Sequence, residues 1–254
     1  MLLLIDAGNT RIKWALAAEG SISGPLGEWL ASGSVPHDRW AGAAHAWRQH
    51  GIRHALVCNV AGAAVEAAIR EELHVLPDVR IAWVRSSALA GGVRNTYRDP
   101  LQLGADRMAA AIGAVALYPH QPLVIATCGT ATTVDAVSPE AAFLGGMILP
   151  GLGLMASALA RGTAQLPQVD EDHIRMREFS DNTDDAIVSG CIAAQTGAIE
   201  RAVAAMEREH GPVRCIMSGG AASIVAPHLR VPHEIVQNLV LIGLRVVAAA
   251  QPAP

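Results

Sequence analysis

A short pattern that occurs twice constrains this chain more than any other feature. Leu2 to Ile5 is apolar and runs into Asp6, Ala7-Gly8-Asn9-Thr10 supplies turn residues, and Arg11 to Ala17 alternates polar and apolar. Two strands joined by a glycine-tipped turn are predicted. Leu123 to Ala126, Thr127-Cys128-Gly129-Thr130 and Ala131 to Val137 repeat the shape, with Gly8 falling on Gly129, Asn9 on Thr130 and Asp6 on Thr127. A pattern placed where each half of a chain begins points to a duplicated fold.

Between and after the hairpins, strands and helices alternate. Trp40 to His50 reads as helical, His54 to Asn59 as a strand, Ala61 to Leu73 as a helix and Arg80 to Val84 as a strand. A helix opens at Asp106-Arg107 and stops at Tyr118-Pro119; Phe143 to Leu149 is a strand and Leu152 to Ala160 a helix. Ala186 to Glu209 is a long helix ended by His210-Gly211-Pro212, followed by the strand Val213 to Met217 and the helix Val240 to Ala250. Such alternation predicts the α/β class. The boundary is expected near Tyr118 to Pro122, giving domains 1–118 and 119–254.

Composition excludes several classes. In 254 residues, 51% are apolar, too many for a disordered chain. Nineteen Lys+Arg against 23 Asp+Glu leave a net charge of −4, so no general basic surface for nucleic acid is expected. All the basic residues but Lys13 are arginine. Cys58, Cys128, Cys191 and Cys215 lie far apart without a C-x-x-C pair, which argues for reduced thiols rather than zinc or disulfides. No basic leader precedes Asp6, and the long apolar runs are broken by Pro150, Gly151 and Gly153 and by Gly243 and Arg245. No membrane span is expected, and the location is expected to be cytoplasmic.

Side-chain-free turns let backbone N–H groups point at phosphate. Asp6-Ala7-Gly8-Asn9-Thr10 offers such a turn, plus a carboxylate able to hold Mg²⁺ directly or through water. Lys13 reads either as a compact point charge beside it or as a surface lysine left by chance where coding bias favours arginine. Gly129-Thr130 offers a second turn with a hydroxyl, and Ser218-Gly219-Gly220 a third against which a base or ribose can lie. Each also reads as a tight turn with no ligand. Gly151-Leu152-Gly153-Leu154-Met155-Ala156 fits the dinucleotide pattern G-x-G-x-x-A, but the next acids, Asp170 and Glu171, come early and in polar coil. In Gly104-Ala105-Asp106-Arg107, Asp106 opens a helix. There it either complements the helix dipole or accepts the proton of a substrate hydroxyl; Arg107 suits a substrate carboxylate or phosphate, or solvent.

These stretches, with Gly129 to Asp135, Gly145 to Gly151, Leu166-Pro167 and Asn182-Thr183, together resemble the type III pantothenate kinases, the Bvg accessory factor-like family, from residue 5 to about 220. The resemblance implies the duplicated actin-like ATPase fold of acetate and sugar kinases, Hsp70 and actin: two similar domains with a cleft between them. It implies ATP-dependent phosphorylation of pantothenate, the first step toward coenzyme A, with Asp106 as proton acceptor. ATP would contact Asp6, Ala7, Gly8, Asn9, Thr10, Arg11, Ile12, Lys13 and Thr130. Pantothenate would contact Tyr97, Gly104, Ala105, Asp106, Arg107 and Thr183. Mg²⁺ would accompany the nucleotide, and a homodimer would let Thr183 reach the partner's substrate. Similar family members bind K⁺ or NH₄⁺ through an aspartate where this chain has Thr127, so no residue is assigned to that cation. The alternatives are a sibling kinase with another hydroxyl substrate and a non-catalytic accessory protein.

Overall fold

The computed structural model describes every residue except 21, 23, 77, 170–176 and 251–254. Asp170 and Glu171 therefore lie outside the described residues. In chain order the strands are β1 (Leu2–Ala7), β2 (Arg11–Ala17), β3 (Ala31–Pro36), β4 (His54–Asn59), β5 (Arg80–Val84), β6 (Leu89–Ala90), β7 (Val93–Asn95), β8 (Leu123–Cys128), β9 (Ala131–Val137), β10 (Ala142–Pro150), β11 (Arg214–Ser218) and β12 (His233–Ile235). The helices are α1 (Ala63–His74), α2 (Ala105–Leu117), α3 (Leu152–Gly162), α4 (Thr183–His210), α5 (Ala222–Val225) and α6 (Leu239–Ala250). Among the described residues, no helix is long and apolar enough to cross a membrane.

Two compact units result: residues 1–120, 140–144 and the chain from Asn238 form one, and 121–139 with 145–237 the other. In unit 1 the strand order is β3-β2-β1-β4-β5. The first three strands are antiparallel, whereas β4 runs parallel to β1 and β5 to β4. Leu3, Ile5, Ile12 and Leu16 of the hairpin are buried with Trp40, Trp47, Ile69 and Leu73 in one core. Helices α2 and α6 pack against each other at backbone distance. A Cβ on Gly113 would stand 2.5 Å from the Leu239 oxygen, and one on Gly243 would stand 1.8 Å from the Ala109 oxygen. Only glycine permits that approach. It ties the last helix to unit 1, so the compact units divide differently from the expected 1–118 and 119–254.

The expected helix over Trp40 to His50 is instead two 3₁₀ turns, Ala43–Ala46 and Arg48–His50. Gly42 and Gly51 adopt left-handed φ values of 87° and 57° at either end, and the Trp40 and Trp47 rings pack 5.3 Å apart, which leaves no length for a regular helix. Strand β3 has weak intrinsic β preference, being rich in Ser and Gly. It forms because the Trp14 indole lies across Gly33, where a Cβ would meet the ring at 2.8 Å.

In unit 2 the order is β12-β11-β8-β9-β10, with β8 and β9 antiparallel and β11 parallel to both β8 and β12. Val124, Ala126, Ile192, Ile199 and Met217 fill its core. Helix α4 starts where the Asn182 side chain accepts the Asp185 N–H at 2.9 Å, and it ends at Gly211 with φ 76°. The first residues of β10, Ala142 and Phe143, pair with β7 within unit 1.

Candidate active site

Gly8 to Arg11 form the tip of the first hairpin, closed by the Gly8 N–H on the Arg11 oxygen at 3.2 Å. A Cβ on Gly8 would meet only that oxygen at 3.5 Å, an ordinary contact. The fold alone thus does not require glycine here, and a ligand pressing on the backbone would. At the base of the tip Asp6 stands opposite Lys13 in register, so the two side chains share a sheet face. Asp6 is only half-buried, yet loss of hydration around its carboxyl raises its pKa to about 7. Lys13 lowers that value, and the negative charge of Asp106, a hundred residues away in sequence, raises it further. Cys58, the parallel neighbour of Asp6 on β4, is fully buried; burial and both carboxylates push its thiol well above the ordinary range. It is an inert wall to the site.

Asp106 lies in the first turn of α2. Its Oδ1 accepts the Arg107 N–H at 2.8 Å and folds over Gly104, where a Cβ would come within 2.6 Å of that oxygen. Burial raises the Asp106 pKa, opposed by the Arg107 backbone N–H and charge. Arg107 is 7% exposed and not the solvated arginine that its surroundings in sequence allow. Its Nη1 donates to the Tyr97 hydroxyl at 2.9 Å, and its guanidinium lies 5.7 Å from the Tyr97 ring and 5.6 Å from the Phe143 ring. Tyr97 meets Phe143 edge-on at 5.8 Å. Asn95 sets the segment by accepting the Tyr97 N–H at 3.0 Å and donating to the Pro100 oxygen at 3.0 Å. The sequence reading missed Asn95 and Phe143. The signal for Phe143 was its place just before Leu144-Gly145-Gly146, in a chain with two phenylalanines.

Unit 1 thus brings together Asp6, Lys13, Asp106, Arg107 and Tyr97. Thr130 and Thr183 belong to unit 2. Thr130 is exposed at the tip of the second hairpin, where the Gly129 N–H meets the Ala131 oxygen at 3.0 Å. The Gly151 N–H donates to the Thr130 oxygen at 2.9 Å, and a Cβ on Gly151 would lie 2.1 Å from the Gly129 oxygen. The G-x-G-x-x-A stretch is therefore a packing device against this turn, not a pyrophosphate cradle. Gly219, with φ 92° and room for no Cβ beside the Cys128 oxygen, is likewise demanded by packing, whereas Gly220 faces open space. Thr183, the first residue of α4, is exposed and lines an open pocket of about 600 Å³ with Leu159, Leu166 and Ser180.

Among the described residues, no group of three or more His, Cys, Asp or Glu is placed to hold a metal. Asp6 and Asp106 feel each other's negative charge. Thr127 stands opposite Thr133, whose buried hydroxyl has no hydrogen-bond partner among the described residues. Two neutral hydroxyls do not fit a charge-paired monovalent-cation site.

The family model described as type III pantothenate kinase matches residues 2–205. A type III pantothenate kinase from Herminiimonas arsenicoxydans is 55% identical over 251 residues, covering 98% of this chain and 97% of the relative. Another, from Janthinobacterium sp. (strain Marseille), is 56% identical over 253 residues, with 98% and 97% covered. Among solved structures, a protein described as a Baf family transcriptional activator from Campylobacter jejuni aligns with TM-score 0.62 at 17% identity, covering 96% of each chain. One named as a 2-dehydro-3-deoxygalactonokinase from Sinorhizobium meliloti aligns with TM-score 0.55 at 14% identity, covering 98% of each. These are likenesses of fold, and they agree with the expected duplicated actin-like and sugar-kinase architecture. With its family model matched over most of its length and more than half its residues shared with full-length relatives, the chain belongs to the type III pantothenate kinase family.

Proposed function

We propose that this chain transfers the γ-phosphoryl group of ATP to the primary hydroxyl of pantothenate, forming 4′-phosphopantothenate and ADP on the route to coenzyme A. One observation carries the reading beyond family membership: Asp106, at the mouth of α2, shares an electrostatic neighbourhood with the Asp6–Lys13 hairpin. A proton acceptor is thereby paired with a phosphate-binding turn inside one unit.

Asp106 accepts the hydroxyl proton as the substrate oxygen forms its bond to the γ-phosphorus and the bond to the β-γ bridging oxygen breaks. Burial raises its basicity, opposed by the Arg107 N–H and charge. Turnover therefore rises with pH through the elevated Asp106 pKa, since only the carboxylate takes a proton. Tyr97, Gly104, Ala105 and Arg107 surround the hydroxyl end and carboxylate of pantothenate, the buried guanidinium giving a charge-assisted contact. The backbone of Ala7 to Ile12 and the Lys13 ammonium hold the ATP phosphates, and Thr130 adds a hydroxyl donor. Asp6 would hold Mg²⁺ directly or through water; when bound, the ion neutralises phosphate charge. No step is assigned to K⁺ or NH₄⁺.

A homodimer completes the reading, with Thr183 serving the partner's substrate. Leu154 and Leu159 on α3 and Ile148 on β10 are 43%, 38% and 66% exposed, apolar surface that a second copy would cover. The buried cysteine thiols suit a reducing cytoplasm.

Pantothenate-dependent ADP release tests this. Asp106→Asn is expected to lose at least about a hundredfold in kcat while keeping fold and ADP affinity. Undiminished turnover would remove Asp106 from its role. ADP release with another alcohol but not pantothenate would identify the sibling kinase, and none with any alcohol the accessory protein.

A further inference from the structure

The tip of the first hairpin is held from outside by the third strand. Arg11 donates from Nε to the Ser34 hydroxyl at 2.9 Å and from Nη2 to the Ser34 oxygen at 3.0 Å, which fixes the far side of the turn. On the near side, His37, which follows Pro36 at the end of β3, has Nε2 2.8 Å from the Gly8 oxygen. A carbonyl can only accept, so Nε2 carries the proton and donates. His37 is half-buried, 29 positions from Gly8, and outside every stretch that carries the family resemblance.

The consequence lies in the peptide plane. The Gly8 carbonyl and the Asn9 N–H belong to one trans peptide and point in opposite directions. Holding the Gly8 oxygen toward His37 therefore aims the Asn9 N–H away from it. That N–H has no protein acceptor among the described residues, and Asn9 is exposed. Gly8, with no Cβ, restrains a flip of this plane less than any other residue would. An external lock is what such a turn needs to keep its amide aimed before the ligand arrives.

We propose that His37 is a positioning residue for nucleotide phosphate binding: through its hydrogen bond to the Gly8 oxygen it pre-orients the Asn9 N–H toward the phosphates of ATP. The inference rests on the reading of Gly8 to Arg11 as a phosphate turn. His37 does not itself touch the phosphates. Its loss weakens nucleotide binding and leaves the pantothenate side alone.

ADP affinity by calorimetry, with KM for ATP and for pantothenate, tests this in the full chain. His37→Ala is expected to raise the ADP Kd and the ATP KM about fivefold to tenfold, with the pantothenate KM and kcat at saturating ATP held within about twofold. His37→Gln, whose amide can donate at similar reach, is expected to return both values to within about twofold of the parent. If the alanine variant unfolds, His37→Met fills the space without a donor and replaces it. Unchanged ADP affinity in the donor-free variant, or a glutamine variant no better than it, would overturn the inference. Gly8→Ala separates the two levels. If it weakens ADP while the donor-free His37 variant does not, only the role of His37 fails; if it binds ADP like the parent, the phosphate-turn reading fails and takes the inference with it.

Discussion

In the first hairpin Gly8 to Arg11 connect the paired residues Ala7 and Ile12, whereas in the second Gly129 to Ala131 connect Cys128 and Thr132. The first tip is longer by one residue, so the partner of Asp6 is Lys13 while the partner of Thr127 is Thr133. A gapless alignment of the two sequences would have set Lys13 on Val134, because side-by-side letters cannot show where a turn takes up an extra residue. The chemistry diverges at that cross-strand pair. One hairpin carries an acid and a base, the other two hydroxyls.

The supports differ as well. The Ser34 side chain of β3 and that of His37 just after it hold the first tip, and its glycine is sterically free. Backbone from Gly151 and the Gly219 turn holds the second, at distances no Cβ could share. The first turn is thus built around charge and a correctable peptide plane, and the second around close packing. Mutations at equivalent places should therefore fail in different ways.

The largest effect is expected at Gly151→Ala. Its Cβ would meet the Gly129 oxygen at 2.1 Å and the Thr130 oxygen at 2.7 Å, both backbone. Chemical unfolding should show a loss of about 3 kcal/mol or more; a loss below about 1 kcal/mol would show that the second turn yields as readily as the first. Next come the two polar groups assigned to phosphate. Lys13→Met should raise the ADP Kd about thirtyfold, as loss of a charged contact does, and Thr130→Val only about threefold, as loss of one neutral donor does. Equal effects in calorimetry would erase the proposed division of labour.

A further effect concerns Asp6 without ligand. Its pKa is raised in the folded state to about 7 from 3.8, so between these values the folded chain holds the proton more tightly than the unfolded chain. Stability from this group is present below pH 4 and is lost as pH rises toward 7. Asp6→Asn should accordingly gain about 1–2 kcal/mol over the parent at pH 8, the full shift being discounted for partial exposure, and nothing at pH 4. Urea unfolding at both pH values decides this, and a gain that does not depend on pH would deny that burial of the charge is its cause.

Much of this was legible from the residues. The β1–β2 and β8–β9 hairpins, α2 with Asp106 in its first turn, and the end of α4 at Gly211 each announce themselves through local periodicity, turn residues or a stop signal. Strand β3 did not, because Ser and Gly carry little strand preference and the reason for pairing, the Trp14 ring over Gly33, is a contact across strands. The 3₁₀ turns after Trp40 were hidden for a similar reason: the left-handed glycines and the tryptophan cluster act together only once folded. Arg107 read as either a substrate contact or a solvated arginine, and its burial against Tyr97 and Phe143, segments 46 residues apart, could not be read from the sequence.

By itself the sequence determined the α/β class, the duplicated hairpin, the family, and the residues proposed to bind phosphate and take a proton. Those depend on short-range patterns and on which side chains are present. Only the tertiary structure decided that α6 belongs with α2, that Asp6 and Asp106 feel each other's charge, and that His37 holds the Gly8 carbonyl. Each of these depends on distance between parts of the chain that the sequence keeps far apart, and electrostatic and hydrogen-bond energies follow that distance.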